Sequence, residues 1–273
     1  GIVGAALAGM SAACKVLGPS GYPRINRALR AEGAKRTNPK HSQGFEAQRS
    51  AGARRYRATV QRASWITPTT RDITLQLPQD ETWDAGQYAL VRVAPFEWRP
   101  YSIASAPGKA VRLLVDVRTQ GHGATWARHA QNGDEVDLEL PYGHFLHDTA
   151  AGGTHADTPP TCRRVFVATG TGIAPFLAEF EQSIRADDIL LLLGLATTSG
   201  DLTTHLNAPL PHVIRCVSRE KTPETFHGRV TDYLRATGID PQADYYVCGS
   251  PLVVTDVAHL IRAAGGYVHT ESF

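Results

Sequence analysis

Val165-Phe166-Val167-Ala168-Thr169-Gly170-Thr171-Gly172-Ile173-Ala174-Pro175 is the stretch from which the rest of the chain can be read. A short apolar run ends in a Gly-x-Gly turn, and a helix-compatible segment follows with a proline in its first turn. Proline suits the start of a helix because the N–H it lacks would be unpaired there anyway. Strand, glycine turn and helix together form a setting in which backbone N–H groups and a helix N-terminus hold a diphosphate. Pro175 stands where the full dinucleotide fingerprint carries its third glycine, so the match is partial.

The same rhythm continues toward the carboxyl end. Residues 189–194, 212–217, 245–248 and 267–270 are compact apolar runs, and 174–185, 230–236 and 253–264 carry helical spacing. Alternating strand and helix predicts a five-stranded parallel α/β sheet covered on both faces, with ligands at the carboxyl ends of its strands. Toward the amino end the pattern changes to short, alternating, β-branched runs at 56–66, 72–77, 87–93, 98–105, 111–117 and 135–140. Only 125–130 reads as helix in that half. Six close strands predict a six-stranded antiparallel β-barrel, a closure that removes exposed sheet edges. The expected organisation is a basic arm over 1–53, a small barrel domain over 54–150, a linker over 151–162 and a nucleotide-binding α/β domain over 163–273.

With 42% hydrophobic and 20% charged residues, the 273-residue chain has the composition of globular domains with a real core. No apolar run reaches the ~18 residues of a membrane span. The net charge of +2 hides a split: residues 1–57 contain eleven Lys and Arg against two acids, leaving 17 of the 28 basic and 24 of the 26 acidic residues to the other 216. A basic arm on an acidic body points to a negative contact, which the body itself, another protein, nucleic acid or a membrane surface could supply. Only Tyr22, Phe45 and Tyr56 interrupt its charges, too few aromatics for nucleic-acid stacking. Being Arg-rich and acid-poor, residues 1–53 resemble an organellar transit segment. They read instead as an extended arm held by a partner or by the body, in the mitochondrial matrix or another organelle, with the cytoplasm as alternative. Cys14, Cys162, Cys216 and Cys248 are too scattered for a zinc or iron–sulfur ligand set and are expected as reduced thiols, with no metal site.

Five segments carry chemistry. Arg99-Pro100-Tyr101-Ser102, on the fourth barrel strand, supplies a cation, an aromatic ring and a hydroxyl within four residues. Those are the types a flavin needs for its phosphate, its ring and its N5 position, although an ordinary strand with a surface Arg would look alike. Gly121-His122-Gly123-Ala124-Thr125 opens the barrel's helix, where glycines admit a phosphate. Thr125 as a plain N-cap is the competing reading. Gly170-Thr171-Gly172 with Pro175 forms the turn quoted above. Cys248-Gly249-Ser250-Pro251 follows a strand and precedes a helix, and Glu271-Ser272-Phe273 ends a strand.

In order and spacing, these segments resemble the ferredoxin–NADP(H) reductase superfamily over roughly residues 54–273. That resemblance implies a flavin barrel followed by a nicotinamide domain. It implies that Arg99 binds the flavin phosphate, Tyr101 packs on the flavin and Ser102 bonds near N5, with Pro100 between them. Gly123 and Thr125 match the pyrophosphate glycine and hydroxyl. Pro141-Tyr142-Gly143-His144-Phe145 looks like a family loop whose first glycine is Leu140 here. Gly170, Thr171, Gly172 and Pro175 match the turn under the dinucleotide, and Cys248 and Gly249 the pair near the nicotinamide ring. Glu271 and Phe273 match the terminal acid and the aromatic that shields the flavin, a Tyr in plant-type members. Ser102, Cys248, Glu271 and Phe273 are thereby the expected catalytic set.

The resemblance implies FAD, with FMN possible, and hydride transfer from a nicotinamide dinucleotide to flavin N5. Ser218-Arg219-Glu220 resembles a segment that holds a 2′-phosphate, and Arg229 lies nearby, which favours NADPH over NADH. The competing reading is a surface Arg219 paired with Glu220 or Glu224. Scattered cysteines imply a separate electron acceptor: a ferredoxin, a flavodoxin, an oxygenase component or a haem protein. The alternative is a flavin- or nucleotide-binding accessory subunit, its basic arm built into a larger, organellar respiratory assembly, with little or no turnover.

Overall fold

A sheet of alternating in-and-out residues begins the body. The computed structural model describes residues 52–146, 164–182, 189–205 and 210–272. The expected arm up to residue 51, the expected linker and Phe273 lie outside the described residues.

The first half contains β1 (Arg54–Thr67), β2 (Thr70–Glu81), β3 (Tyr88–Ala94), β4 (Glu97–Ser102), β5 (Gly108–Asp116), helix α1 (His122–His129) and β6 (Glu135–Tyr142). The strands pair antiparallel in the order β4-β3-β6-β1-β2-β5. The sheet curls into an incomplete barrel, and Ala104 N donates to Arg112 O at 2.8 Å between the segment after β4 and β5. Alternation explains the closure. Tyr56, Ala58 and Val60 of β1 point inward beside Ile73, Leu75, Leu113 and Leu138, while Arg55, Arg57 and Thr59 point out. Thr125 is not the cap of α1. Gly121 caps it, its carbonyl accepting from Thr125 N at 2.9 Å, so the helix starts at His122. The glycine-rich segment, which carries no apolar period, therefore forms the first turn itself.

The second half contains β7 (Arg164–Thr169), a 3-10 turn (Gly170–Ile173), α2 (Ala174–Gln182), β8 (Ile189–Leu195), β9 (His212–Val217), β10 (Phe226–His227), α3 (Val230–Thr237), β11 (Asp244–Gly249), α4 (Pro251–Ala263) and β12 (Tyr267–Ser272). All pairings are parallel, in the order β10-β9-β8-β7-β11-β12. The sheet thus has six strands rather than the expected five. The extra one, β10, is two residues laddered onto Cys216 and Val217, too short to show any period in the sequence. The order reverses at β7, which places a crevice at the carboxyl ends of β7 and β11.

An apolar seam joins the halves. Ala104, Leu114 and Leu146 belong to the same buried cluster as Phe166, Ile173, Phe176 and Leu177. The Phe145 ring lies 5.8 Å from Phe176 and 6.1 Å from Tyr246, and Ala106 N donates to Glu181 Oε2 at 2.8 Å. A contact this apolar resists the relative motion expected of a polar domain interface.

Candidate functional site

A cleft of about 930 Å³ crosses the seam. Arg99, Pro100, Tyr101, Ser102 and Gly123 line it from the barrel half, and Gly170, Thr171, Gly172, Ser218, Arg219 and Gly249 from the α/β half. Residues far apart in sequence therefore share one cavity. Thr125 sits exposed on α1 and Pro175 lies buried at the start of α2, and neither lines the cleft.

The glycines are there for two different reasons. Gly170 has φ +55° and nothing within 4 Å of where a Cβ would be, so its backbone faces open space. Gly172 is the reverse. A Cβ there would lie 2.4 Å from Cys248 O and 2.8 Å from Gly249 Cα, so the turn after β7 packs directly on the end of β11. The same closeness governs Gly249, where a Cβ would meet Thr169 Oγ1 at 2.1 Å, and Gly123, where it would meet Tyr101 Oη at 2.4 Å. Of these, only Gly170 keeps to the simple idea of room for a phosphate.

Ser102, Cys248 and Glu271 form one enclosed corner. Register places Cys248 beside Glu271 on β11 and β12, and Tyr88 beside Ser102 on β3 and β4. Glu271 is part-exposed as a residue, but its Oε2 is sealed from solvent. Burial lifts its carboxyl to about 7, against a smaller downward pull from the Ser102 hydroxyl. That pull acts without a completed bond, since Ser102 Oγ and Glu271 Oε2 both lack a hydrogen-bond partner. Cys248 is 1% exposed, and burial, aided by the Glu271 charge, raises its thiol well above the ordinary range. It is therefore a neutral S–H donor, not a thiolate. Tyr88 is raised by burial and then by Glu271. It stacks on Tyr142 at 5.6 Å and belongs to the corner, although the sequence reading passed over it.

At the barrel end Tyr101 is pushed up to about 12 by burial and leans on Trp126, with centroids 6.0 Å apart. Arg99 pairs with Glu97, whose other carboxyl oxygen contacts His122 Nδ1. Both partners escaped the sequence reading, although Glu97 stands two residues before Arg99 and so on its face of the strand. At the far end Ser218 N donates to Leu195 O at 3.0 Å, and Arg219 N to Ala196 O at 2.9 Å. Glu220 does not pair with Arg219. It accepts from Thr198 N and Thr198 Oγ1 at 2.8 Å each, which holds its carboxyl below the usual range. Arg229, Thr67, Arg118 and Asp256 also line the cleft.

The unpartnered Ser102 Oγ, the cation at Arg99 and the open backbone at Gly170 line the cleft and suit a flavin and a dinucleotide lying there, while Cys248 and Glu271 stand behind the lining. Residues 166–259 match the family model of the oxidoreductase NAD-binding domain. The phenol hydroxylase P5 protein of Acinetobacter pittii (strain PHEA-2) is 36% identical over 241 residues, covering 80% of this chain and 65% of that protein. Reductase component 2 of the terephthalate 1,2-dioxygenase of a Comamonas species is 28% identical over 235 residues, covering 80% and 67%. Among solved structures, a ferredoxin NADP+ reductase from Neisseria gonorrhoeae with bound FAD and NADP superposes with a TM-score of 0.67 at 19% identity, covering 82% of this chain and 99% of that one. In fold, and over about four fifths of its length, the chain is similar to ferredoxin–NADP(H) reductase-like reductase components.

The matched family model describes the NAD-binding domain of oxidoreductases, and the neighbour with bound FAD and NADP shares the fold. The chain spans about two thirds of the length of those two curated relatives, 67% and 65%. Among the described residues, no group of three His, Cys, Asp or Glu could hold a metal ion, and no helix is long and apolar enough to cross a membrane.

Proposed function

We propose that the chain is an FAD-dependent NAD(P)H oxidoreductase that delivers electrons to a separate acceptor protein. One observation carries this reading: Ser102 from one sheet and Cys248 and Glu271 from the other converge, two of their polar atoms unpartnered, in an enclosed corner at the junction of the two sheets.

A bound flavin would supply the exchange between a two-electron hydride and single electrons. The chain's own residues would do the rest. Arg99 and the amide groups at Gly121–Gly123 would hold flavin phosphate, and Tyr101 would pack against the ring. The turn at Gly170, Thr171 and Gly172, with the N-terminus of α2, would hold the dinucleotide diphosphate. Cys248 and Ser102 would donate neutral hydrogen bonds to the reacting pair. Glu271, titrating near 7, is able to hold or release a proton at neutral pH. Phe273 keeps its expected shielding role as part of this proposal.

Thr67, Thr69 and Arg118 join Arg99 in lining a cleft of about 930 Å³, room that favours FAD over FMN. Ser218, Arg219 and Arg229 at the opposite end favour NADPH over NADH. The curated relatives are named as a phenol hydroxylase protein and a dioxygenase reductase component, so an oxygenase component is the favoured acceptor. Those names also favour turnover over the accessory-subunit alternative.

The test is a visible spectrum of the purified protein, release and identification of its flavin, and rapid-mixing reduction by NADPH and NADH with a dye as acceptor. A yellow protein reduced faster by NADPH is expected. A colourless protein that takes up no flavin when supplied overturns the reading.

A further inference from the structure

Glu97 stands against the very residue to which the proposed function gives the flavin phosphate. Strand alternation puts Glu97 and Arg99 on one face of β4. Glu97 Oε1 lies 2.5 Å from Arg99 Nη2, and Glu97 Oε2 lies 2.5 Å from His122 Nδ1. His122 is the first residue of α1, and the next residue, Gly123, is pressed on Tyr101 Oη and the Arg99 stem. One carboxylate therefore spans from the strand to the helix N-terminus and faces two cation-capable side chains at the mouth of the cleft.

That placement runs against the purpose of the site. A cation at a helix N-terminus favours an anionic ligand. A carboxylate in contact with the same cation repels a second anion and occupies part of its donor set. The pairing is also imperfect. Glu97 Oε1 is sealed from solvent yet completes no hydrogen bond, so Arg99 approaches it off axis. Arg112, by contrast, grips Asp72 through two hydrogen bonds of 3.0 and 2.7 Å. Arg99 is 54% exposed and already lines the cleft.

We propose that Glu97 is a built-in competitor for the flavin phosphate. It pairs with Arg99, contacts His122, and competes with a flavin phosphate for the Arg99 guanidinium. Glu97 thus sets how tightly the cofactor is held and how fast it exchanges. The proposal rests on the flavin reading above and adds a residue that weakens, rather than makes, the site.

The experiment titrates flavin-free full chain with FAD, following quenching of flavin fluorescence, and times FAD release by dilution. Glu97→Gln keeps the shape and removes the charge, and is expected to bind FAD about tenfold more tightly with slower release. Glu97→Ala is expected to shift the same way. Arg99→Ala is expected to weaken binding, and adding Glu97→Gln to it to give back less than about threefold, because the competed group is gone. A residue with a merely structural role would weaken binding when changed, so the sign decides. Equal or weaker binding by both Glu97 variants, with normal binding by the wild type, overturns the proposal and leaves the flavin reading standing. A full gain that persists without Arg99 overturns it as well. No FAD uptake by any variant sinks the proposal and the flavin reading together.

Discussion

Ser102, the last residue of β4, and Glu271, in β12, come together across the junction of the two sheets with Ser102 Oγ and Glu271 Oε2 both sealed and both unpaired. Each such atom costs roughly 1–3 kcal/mol in a folded protein. Two of them in one corner, beside a neutral Cys248 thiol, describe a place kept ready for polar groups that arrive with a ligand.

Glu271 should make stability fall with rising pH. The ordinary carboxyl value is 4.5 and the folded value is about 7. Below 4.5 both states carry the proton; between these values the unfolded chain releases it and the folded chain keeps it. The stabilisation is therefore complete below the lower value and is lost as pH rises through the upper one. In urea unfolding, wild type should lose on the order of 3 kcal/mol relative to Glu271→Gln across that window. Parallel stability curves would contradict a raised carboxyl.

Cys248 should be chemically quiet. Its thiol is buried and held in the protonated form, and the thiolate is the nucleophile. Iodoacetamide at about pH 8 should label native Cys248 at least ~10-fold more slowly than the urea-unfolded chain, as read by mass spectrometry. Equal rates would show an accessible thiolate.

Two glycines two residues apart should respond unequally to alanine. Gly170→Ala meets no atom and bears only the strain of φ +55°, about 1–2 kcal/mol. Gly172→Ala drives a Cβ to 2.4 Å from Cys248 O, a contact with backbone that has to move. It should cost roughly 2–4 kcal/mol in unfolding and at least ~10-fold in nucleotide affinity. Similar losses at both sites would refute the packing account.

Gly123 and Tyr101 should be coupled. An alanine at 123 would lie 2.4 Å from Tyr101 Oη but 3.6 Å from its Cζ. Gly123→Ala should weaken flavin binding about 10-fold, and Tyr101→Phe in the same chain should restore most of it, a coupling of roughly 1 kcal/mol. A flavin titration of the four variants gives the value, and simple additivity would show that the hydroxyl is not the obstacle.

Arg219 should separate the two nicotinamide dinucleotides. It lines the cleft, and its neighbour Glu220 is engaged by Thr198. Arg219→Ala should lower kcat/KM with NADPH by about 10- to 100-fold while leaving NADH nearly unchanged. An equal fall with both would remove the 2′-phosphate role.

Period and punctuation were enough for the two kinds of sheet. Alternation along 56–66 became β1, and the apolar run into Gly170-Thr171-Gly172 became β7 and its turn, because each depends only on neighbours along the chain. Arg99, Ser102, Cys248 and Glu271 are candidates through motif order, by resemblance to a family, and the structure puts Cys248 beside Glu271 in register. Limits appeared where local pattern is absent. β10 has two residues and no period, and the Gly121–Thr125 segment hid the true start of α1.

The sequence by itself determined an antiparallel half followed by a parallel one, since hydrophobic period is carried by each segment alone, and the order of its motifs carried the resemblance that named the candidate site residues. Only the tertiary structure decided that Glu97 lies on Arg99, that Gly172 is pressed on Cys248, and that Tyr88 joins the Glu271 corner. Those relations come from how two curved sheets close on each other, and a contact between distant segments leaves no periodic trace in either one.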